Sequence, residues 1–279
     1  MVNEKKRVAG ISVFAALFIT GFKFVIAILT GSHGLLSEAL HSGLDLVAAV
    51  ITYFSVRISD KPPDKEHNYG HGKIENFSAL VETILLFVTC IWIIYEALNR
   101  LITGEMVIEV NVWSYVVIIT SIIIDVSRSR ALYRVAKKYN SQALEADALH
   151  FSTDVWSSSV VLVGLGLVWI GQNFGAREVL ARADAVAALG VAAIVVGVSV
   201  RLGRRAVDAL LDTAPPGLAE AIAAAVARVE GVHRVVQTRV RGAGPQVFVD
   251  LTVAVPRHLS FEESHAVTDG VRGAVRGLA

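Results

Sequence analysis

Six stretches of the chain stay apolar over about twenty residues or more, the length a helix needs to cross about 30 Å of hydrocarbon. They run Val8–Leu29, Gly34–Ile58, Lys73–Ile102, Val112–Ala136, Ser141–Ile170 and Ala183–Leu211. A single soluble core cannot absorb segments of this kind. The balance of side chains agrees: 54% are hydrophobic and 18% charged, where soluble domains carry about a quarter charged. The chain is therefore read as an α-helical membrane protein, a six-helix transmembrane bundle. The same figures exclude intrinsic disorder. A formal net charge of +1 excludes a nucleic-acid binder that works by overall attraction. The single cysteine, Cys90, excludes an intrachain disulfide and a thiolate zinc site.

Charge placement orients the bundle. Lys5-Lys6-Arg7, Arg57, Lys61, Lys65, Lys73, the basic stretch from Arg128 to Lys138 and Arg201 to Arg205 fall at one set of helix ends. Arg100, Arg177 and Arg182 fall at the other. The positive-inside rule then puts both termini in the cytoplasm. The first apolar run follows a basic triplet as a signal peptide would, but it is longer than a signal core and lacks a small-residue cleavage site. It is expected to be retained.

Past Leu211 the character changes. Asp212-Thr-Ala-Pro-Pro-Gly217 breaks the helix and marks a boundary, giving an expected transmembrane domain over 1–211 and a C-terminal domain over 212–279. In the latter, Leu218–Val229 and Phe261–Val275 read as helices. Val235–Val240 and Gln246–Val255 read as strands, joined by a turn through Gly242, Ala243, Gly244 and Pro245. This is a small cytoplasmic α+β C-terminal domain, marginal in size for independent stability and expected to lean on a partner subunit.

The chemistry lies in the helices. An ionisable side chain in a spanning segment costs roughly 2.5–3.5 kcal/mol on insertion scales and is a functional candidate by default. The second segment holds His41-Ser-Gly-Leu-Asp45 and the fifth His150-Phe-Ser-Thr-Asp154. A spacing of four puts both side chains of each pair on one helix face. With those faces together, two imidazoles and two carboxylates converge, a donor set suited to a tetrahedral divalent cation, zinc above all. A single His-x-x-x-Asp could equally be a packing hydrogen bond. Its repetition in two apolar helices favours the metal. The mixture also suits an ion that must leave, because protons compete for these ligands near neutral pH. Between the second and third segments, Asp64, His67 and His71 are either an ordinary solvated loop or a second cation site.

Three segments carry a resemblance: Ser37-Glu-Ala-Leu-His41 through Asp45, His67-Asn-Tyr-Gly-His-Gly-Lys-Ile-Glu75, and Glu145-Ala-Asp-Ala-Leu-His150 through Asp154. With Leu211-Asp-Thr-Ala-Pro-Pro216, they resemble the motifs of the cation diffusion facilitator family, in order and spacing over almost the whole chain. The resemblance implies export of divalent cations, Zn2+ first, in exchange for protons. It implies a homodimer in the plasma membrane, the inner membrane if bacterial, with a ferredoxin- or metallochaperone-like cytoplasmic domain. It assigns His41, Asp45, His150 and Asp154 to the transport site and Asp64, His67 and His71 to a loop site. Histidine at the first of these positions is associated with zinc; iron, manganese, cobalt and cadmium stay open. The sequence departs from the family where relatives place a binuclear site in the soluble domain. Gln237 and Asp250 stand at two of those positions, His265 matches a later one, and the chain stops at Ala279. A shortened domain without the full binuclear site is expected, with Asp250 and His265 as weaker candidates and His233 and His258 as surface residues.

Lys23, Glu82, Glu96 and Asp125 read as interhelical hydrogen-bond partners, with Asp125 alternatively pairing with Arg128 three residues on; Glu38 lies near the outer end of the second segment, and none of these is assigned to the metal. A membrane-anchored metal sensor or scaffold is the rival reading. No HExxH stretch supports a metalloprotease and no P-loop supports ATP-driven pumping, so no enzymatic activity is expected.

Overall fold

A computed structural model describes residues 2–103, 112–174 and 177–278. The side chains of Glu96, Arg100, Arg177 and Arg182, which bear on one pairing and on the outer charge, lie outside the described set. The chain forms two compact units, Met1–Ala206 and Val207–Ala279.

The first unit is built from long helices: α1 (Val2–Thr30), α2 (His33–Ser59), α3 (Lys73–Thr103), α4 (Val112–Tyr139), α5 (Gln142–Phe174) and α6 (Arg177–Leu210). Among the described residues, five contain a segment long and apolar enough to cross a membrane: Glu4–Thr30, Gly34–Ser59, Lys73–Asn99, Val112–Tyr139 and Val186–Leu210. The remaining helix, α5, has 33 residues, about 50 Å of helix, and its first half carries Glu145, Asp147, His150 and Asp154. Several helices outrun the apolar segment expected for them. Thus α4 continues through Lys137 and Lys138, where cations complement the carbonyl end of the helix.

The bundle is apolar outside and polar within. Phe14, Phe18, Ile28, Ile91, Trp92 and Tyr95 are exposed, as lipid contact demands. Ser12, Thr52, Glu82, Asp147 and His150 are buried. Small residues let the helices approach: Ala9, Ala16, Ala49, Ala143 and Ala148 pack with Leu132 and Phe151. The turn from α1 to α2 is made at Gly31, whose φ of 64° suits a residue without Cβ. Ser32 then caps α2, its hydroxyl accepting from the Leu35 amide.

At one end of the bundle a buried ion cluster ties three helices. Lys5 of α1 lies 2.7 Å from Asp60, which caps α2, and 3.1 Å from Glu75 of α3. Glu75 is fully buried and also accepts the hydroxyls of Ser59 and Ser141. Beside it the Asn76 amide donates to Gln142 at 2.8 Å.

The second unit contains α7 (Leu218–Val226), β1 (Arg234–Ala243), β2 (Gln246–Ala254) and α8 (Phe261–Arg276). The strands pair antiparallel from Arg234↔Ala254 to Ala243↔Gln246, with an irregularity between Val235 and Gln237. The turn is tighter than expected: β1 continues through Gly242 and Ala243, leaving Gly244-Pro245 as a two-residue connection. Ile222, Val226, Val240, Val267 and Val271 form the core. Ser260 and Glu263 make a reciprocal capping box on α8. The Ser260 amide bonded to Glu263 holds that carboxyl below its ordinary range.

Candidate metal centres

The helical spacing places His41 and Asp45 one turn apart on α2, and His150 and Asp154 one turn apart on α5. The two faces meet. His150 Nε2 stands 3.2 Å from Asp45 Oδ1 and 3.5 Å from Asp154 Oδ2. His41 Nε2 is 3.9 Å from Asp45 Oδ1 and 3.9 Å from Asp154 Oδ1. Donor atoms of Asp45, His150 and Asp154 all lie within 4.8 Å of one another. A tetrahedral cation with ligand bonds of about 2.0–2.2 Å separates its donors by about 3.3–3.6 Å. Asp45, His150 and Asp154 approach that separation, and His41 stands just outside it, 3.9 Å from each of the two carboxylates.

The two imidazoles sit in different surroundings. The His150 side chain is 3% exposed and that of His41 is 35%. A cavity of about 50 Å³ adjoins His41, Asp45 and Asp154 and extends past Asp125 toward Lys23 and Glu38. That is enough for a few waters. Lys23 binds Glu38 at 2.8 Å, so the cation nearest this chamber is engaged. Asp154 Oδ2 is buried without a hydrogen bond, an acceptor with unused capacity.

Beneath the quartet, polar contacts hold the helices in place. The Arg128 guanidinium donates to Asp125 at 3.2 Å and to the Ser12 hydroxyl at 3.1 and 3.3 Å, and lies 3.5 Å above the Phe151 ring. Ser12 also faces Asp147 at 3.5 Å. Arg128 thus links α1 to α4 beside the residue that follows His150. The expected Asp125–Arg128 pairing is present, and Lys23 pairs with Glu38. Glu82 is placed differently from a simple packing partner: its Oε2 lies 3.4 Å from His150 Nδ1. Hydropathy places Glu82 within a helix but says nothing about which neighbour it faces.

The loop between α2 and α3 gathers its own cluster. Asp64 Oδ1 accepts the His67 amide at 2.7 Å and the Glu66 amide at 3.0 Å, and lies 3.2 Å from His67 Nδ1. Its other oxygen is 3.3 Å from His71 Nε2. The two imidazole rings are 4.4 Å apart, brought round by a turn at Gly70 with φ of 78°. The His67 amide, then desolvation opposing it and the Glu66 amide, leave the Asp64 carboxyl below its ordinary range. It therefore stays ionised in mildly acidic solution. His71 Nδ1 is buried without a hydrogen bond.

Among the described residues, groups of three or more such ligands form at these two places. His265 is elsewhere, 3.9 Å from Asp269 and exposed, and Asp250 lies on β2 opposite Arg239.

A multi-pass bundle with a convergent His/Asp set is the architecture of a cation transporter. Comparison with known proteins agrees. Residues 10–211 match the family model of the cation efflux transmembrane domain, and residues 214–278 match that of the cation efflux protein, cytoplasmic domain. The chain belongs to the cation-efflux, or cation diffusion facilitator, family, whose members are transporters and not enzymes. It is 35% identical to an uncharacterized transporter of Methanocaldococcus jannaschii, covering 99% of this chain and 95% of that one. An uncharacterized transporter of Synechocystis sp. is 32% identical over 96% of this chain and 84% of its own. The cation-efflux pump FieF of Yersinia enterocolitica is 32% identical over 88% of this chain and 79% of its own.

Proposed function

We propose that the protein exports divalent metal cations, zinc foremost, from the cytoplasm in exchange for protons. The observation that carries the reading is the convergence of Asp45, His150 and Asp154 from two helices, their donor atoms within 4.8 Å of one another, with His41 beside them at 3.9 Å from both carboxylates. The protein is read as a homodimer in the plasma membrane with both termini in the cytoplasm. Asp64, His67 and His71 then hold a cation at the cytoplasmic mouth.

The transport step follows from the ligands. His and Asp bind the ion only when deprotonated, so a proton and a cation compete for each of them. The cavity beside the quartet is lined by Lys23 and Glu38, and the ion cluster of Lys5, Asp60 and Glu75 lies toward the opposite end of the helices. Rocking of the helices about the quartet exposes it to the cytoplasm in turn, as alternating access requires. Protons arriving from outside displace the cation there and leave on the cytoplasmic side.

Reconstituted full-length protein tests this. With the lumen corresponding to the cell exterior, acidifying the lumen is expected to accelerate zinc uptake severalfold, and a protonophore to remove the gain. Compared across Zn2+, Fe2+, Co2+, Cd2+ and Mn2+, zinc is expected to show the lowest KM. Uptake indifferent to the gradient contradicts proton exchange, and a lower KM for another ion contradicts the zinc assignment.

A further inference from the structure

We infer that Glu82 is a positioning residue of the transport site: its carboxylate accepts a hydrogen bond from the Nδ1–H of His150, keeping the proton on Nδ1, and so presents Nε2 to the cation. This rests on the reading of the quartet above and goes one shell beyond it.

Glu82 stands on α3, a helix that supplies none of the four ligands, and its side chain is 1% exposed. Its Oε1 accepts the Thr52 hydroxyl of α2 at 2.9 Å. That bond aims the other oxygen, Oε2, at His150 Nδ1, 3.4 Å away. Neither Oε2 nor Nδ1 has a hydrogen bond elsewhere. Two buried polar atoms of complementary type face each other, slightly beyond good bonding distance. On the opposite edge of the ring, Nε2 faces Asp45 and Asp154.

The chemistry requires such a partner. A neutral imidazole offers one lone pair, so Nε2 ligates only while Nδ1 keeps the proton. The acceptor at Nδ1 selects the tautomer, orients the ring and raises the basicity of the ligating nitrogen. A buried group left without a partner is also costly, so the ring has a physical reason to tighten onto Oε2 once Nε2 is engaged. A packing role alone needs only the Thr52 bond, which a neutral amide would satisfy. The second oxygen, directed at the ring, is what a packing role leaves unexplained. The arrangement makes His150 the meeting point of three helices: its own α5, α2 through Asp45, and α3 through Glu82. Displacement of α3 relative to α5 therefore turns a ligand.

Zinc uptake into proteoliposomes by the intact chain tests the inference through KM and maximal rate. Glu82→Gln is expected to raise KM about 10–100-fold, the usual cost of losing such a partner, with the maximal rate nearly unchanged. Thr52→Val, which frees the carboxylate without removing it, is expected to raise KM by a smaller factor. An unchanged KM in a folded Glu82→Gln protein overturns the role, and lowered thermal stability with unchanged KM does the same. If Glu82→Gln does not fold, an unchanged KM in Thr52→Val overturns it. Asp45→Ala, run alongside, separates the two levels. Wild-type transport there removes the quartet itself. A transport defect there, with wild-type KM in Glu82→Gln, removes only Glu82.

Discussion

His150→Ala is expected to reduce cation transport by more than about 100-fold while leaving the protein folded and in the membrane. Loss of a residue that merely positions a ligand costs about 10–100-fold, and in the proposed site His150 supplies a ligand nitrogen itself. The ring is also the contact through which α5 meets both Asp45 and Glu82. Asp45→Ala should behave in the same way, because it removes the acceptor nearest His150 Nε2, at 3.2 Å. The two losses should not add: with either ligand gone the site no longer closes around the ion, and coupled residues depart from additivity. Uptake assays on the two single variants and the double variant, with thermal unfolding as the control for folding, decide this. Transport within a few-fold of wild type in either single variant would contradict it.

The second large effect concerns stability. Lys5→Met should destabilise the bundle by about 3–5 kcal/mol, the usual consequence of removing one partner from a buried pair. Lys5 sits between Asp60 and Glu75, and its side chain is 5% exposed. Without it the fully buried Glu75 keeps only the hydroxyls of Ser59 and Ser141, which solvate a charge poorly. Neutralising all three, as Lys5→Met with Asp60→Asn and Glu75→Gln, should recover much of the loss, since no uncompensated charge is then buried. Denaturant unfolding in detergent reads both changes. A loss below about 1 kcal/mol for Lys5→Met is the value for exposed pairs, and would mean that water reaches this cluster.

The two expected effects differ in how openly the sequence announces them. The quartet is legible because four-residue spacing converts directly into a shared helix face, and because charged groups in apolar helices are too few to overlook. Helix cores are legible for the same reason, whereas ends such as Lys137 and Lys138 of α4 lie beyond the apolar pattern. Lys5 reads as one of several basic residues flanking a membrane segment, and charge bias alone says nothing about burial. Its position depends on Asp60 and Glu75 arriving from other helices. Glu82 is obscure for a related reason: the face that α3 turns toward α5 follows from tertiary packing, not from the period of the helix. The hairpin turn was narrowed by pairing, because Gly242 and Ala243 take up ladder positions opposite Val247 and Gln246 that local turn chemistry does not reveal.

Zinc-edge anomalous diffraction from crystals of the full chain probes the central claim most directly. The expected result is a peak between α2 and α5, about 2.0–2.2 Å from donor atoms of His41, Asp45, His150 and Asp154, and absent from the Asp45→Ala protein. Anomalous signal confined to Asp64, His67 and His71, with nothing between the two helices, would contradict it.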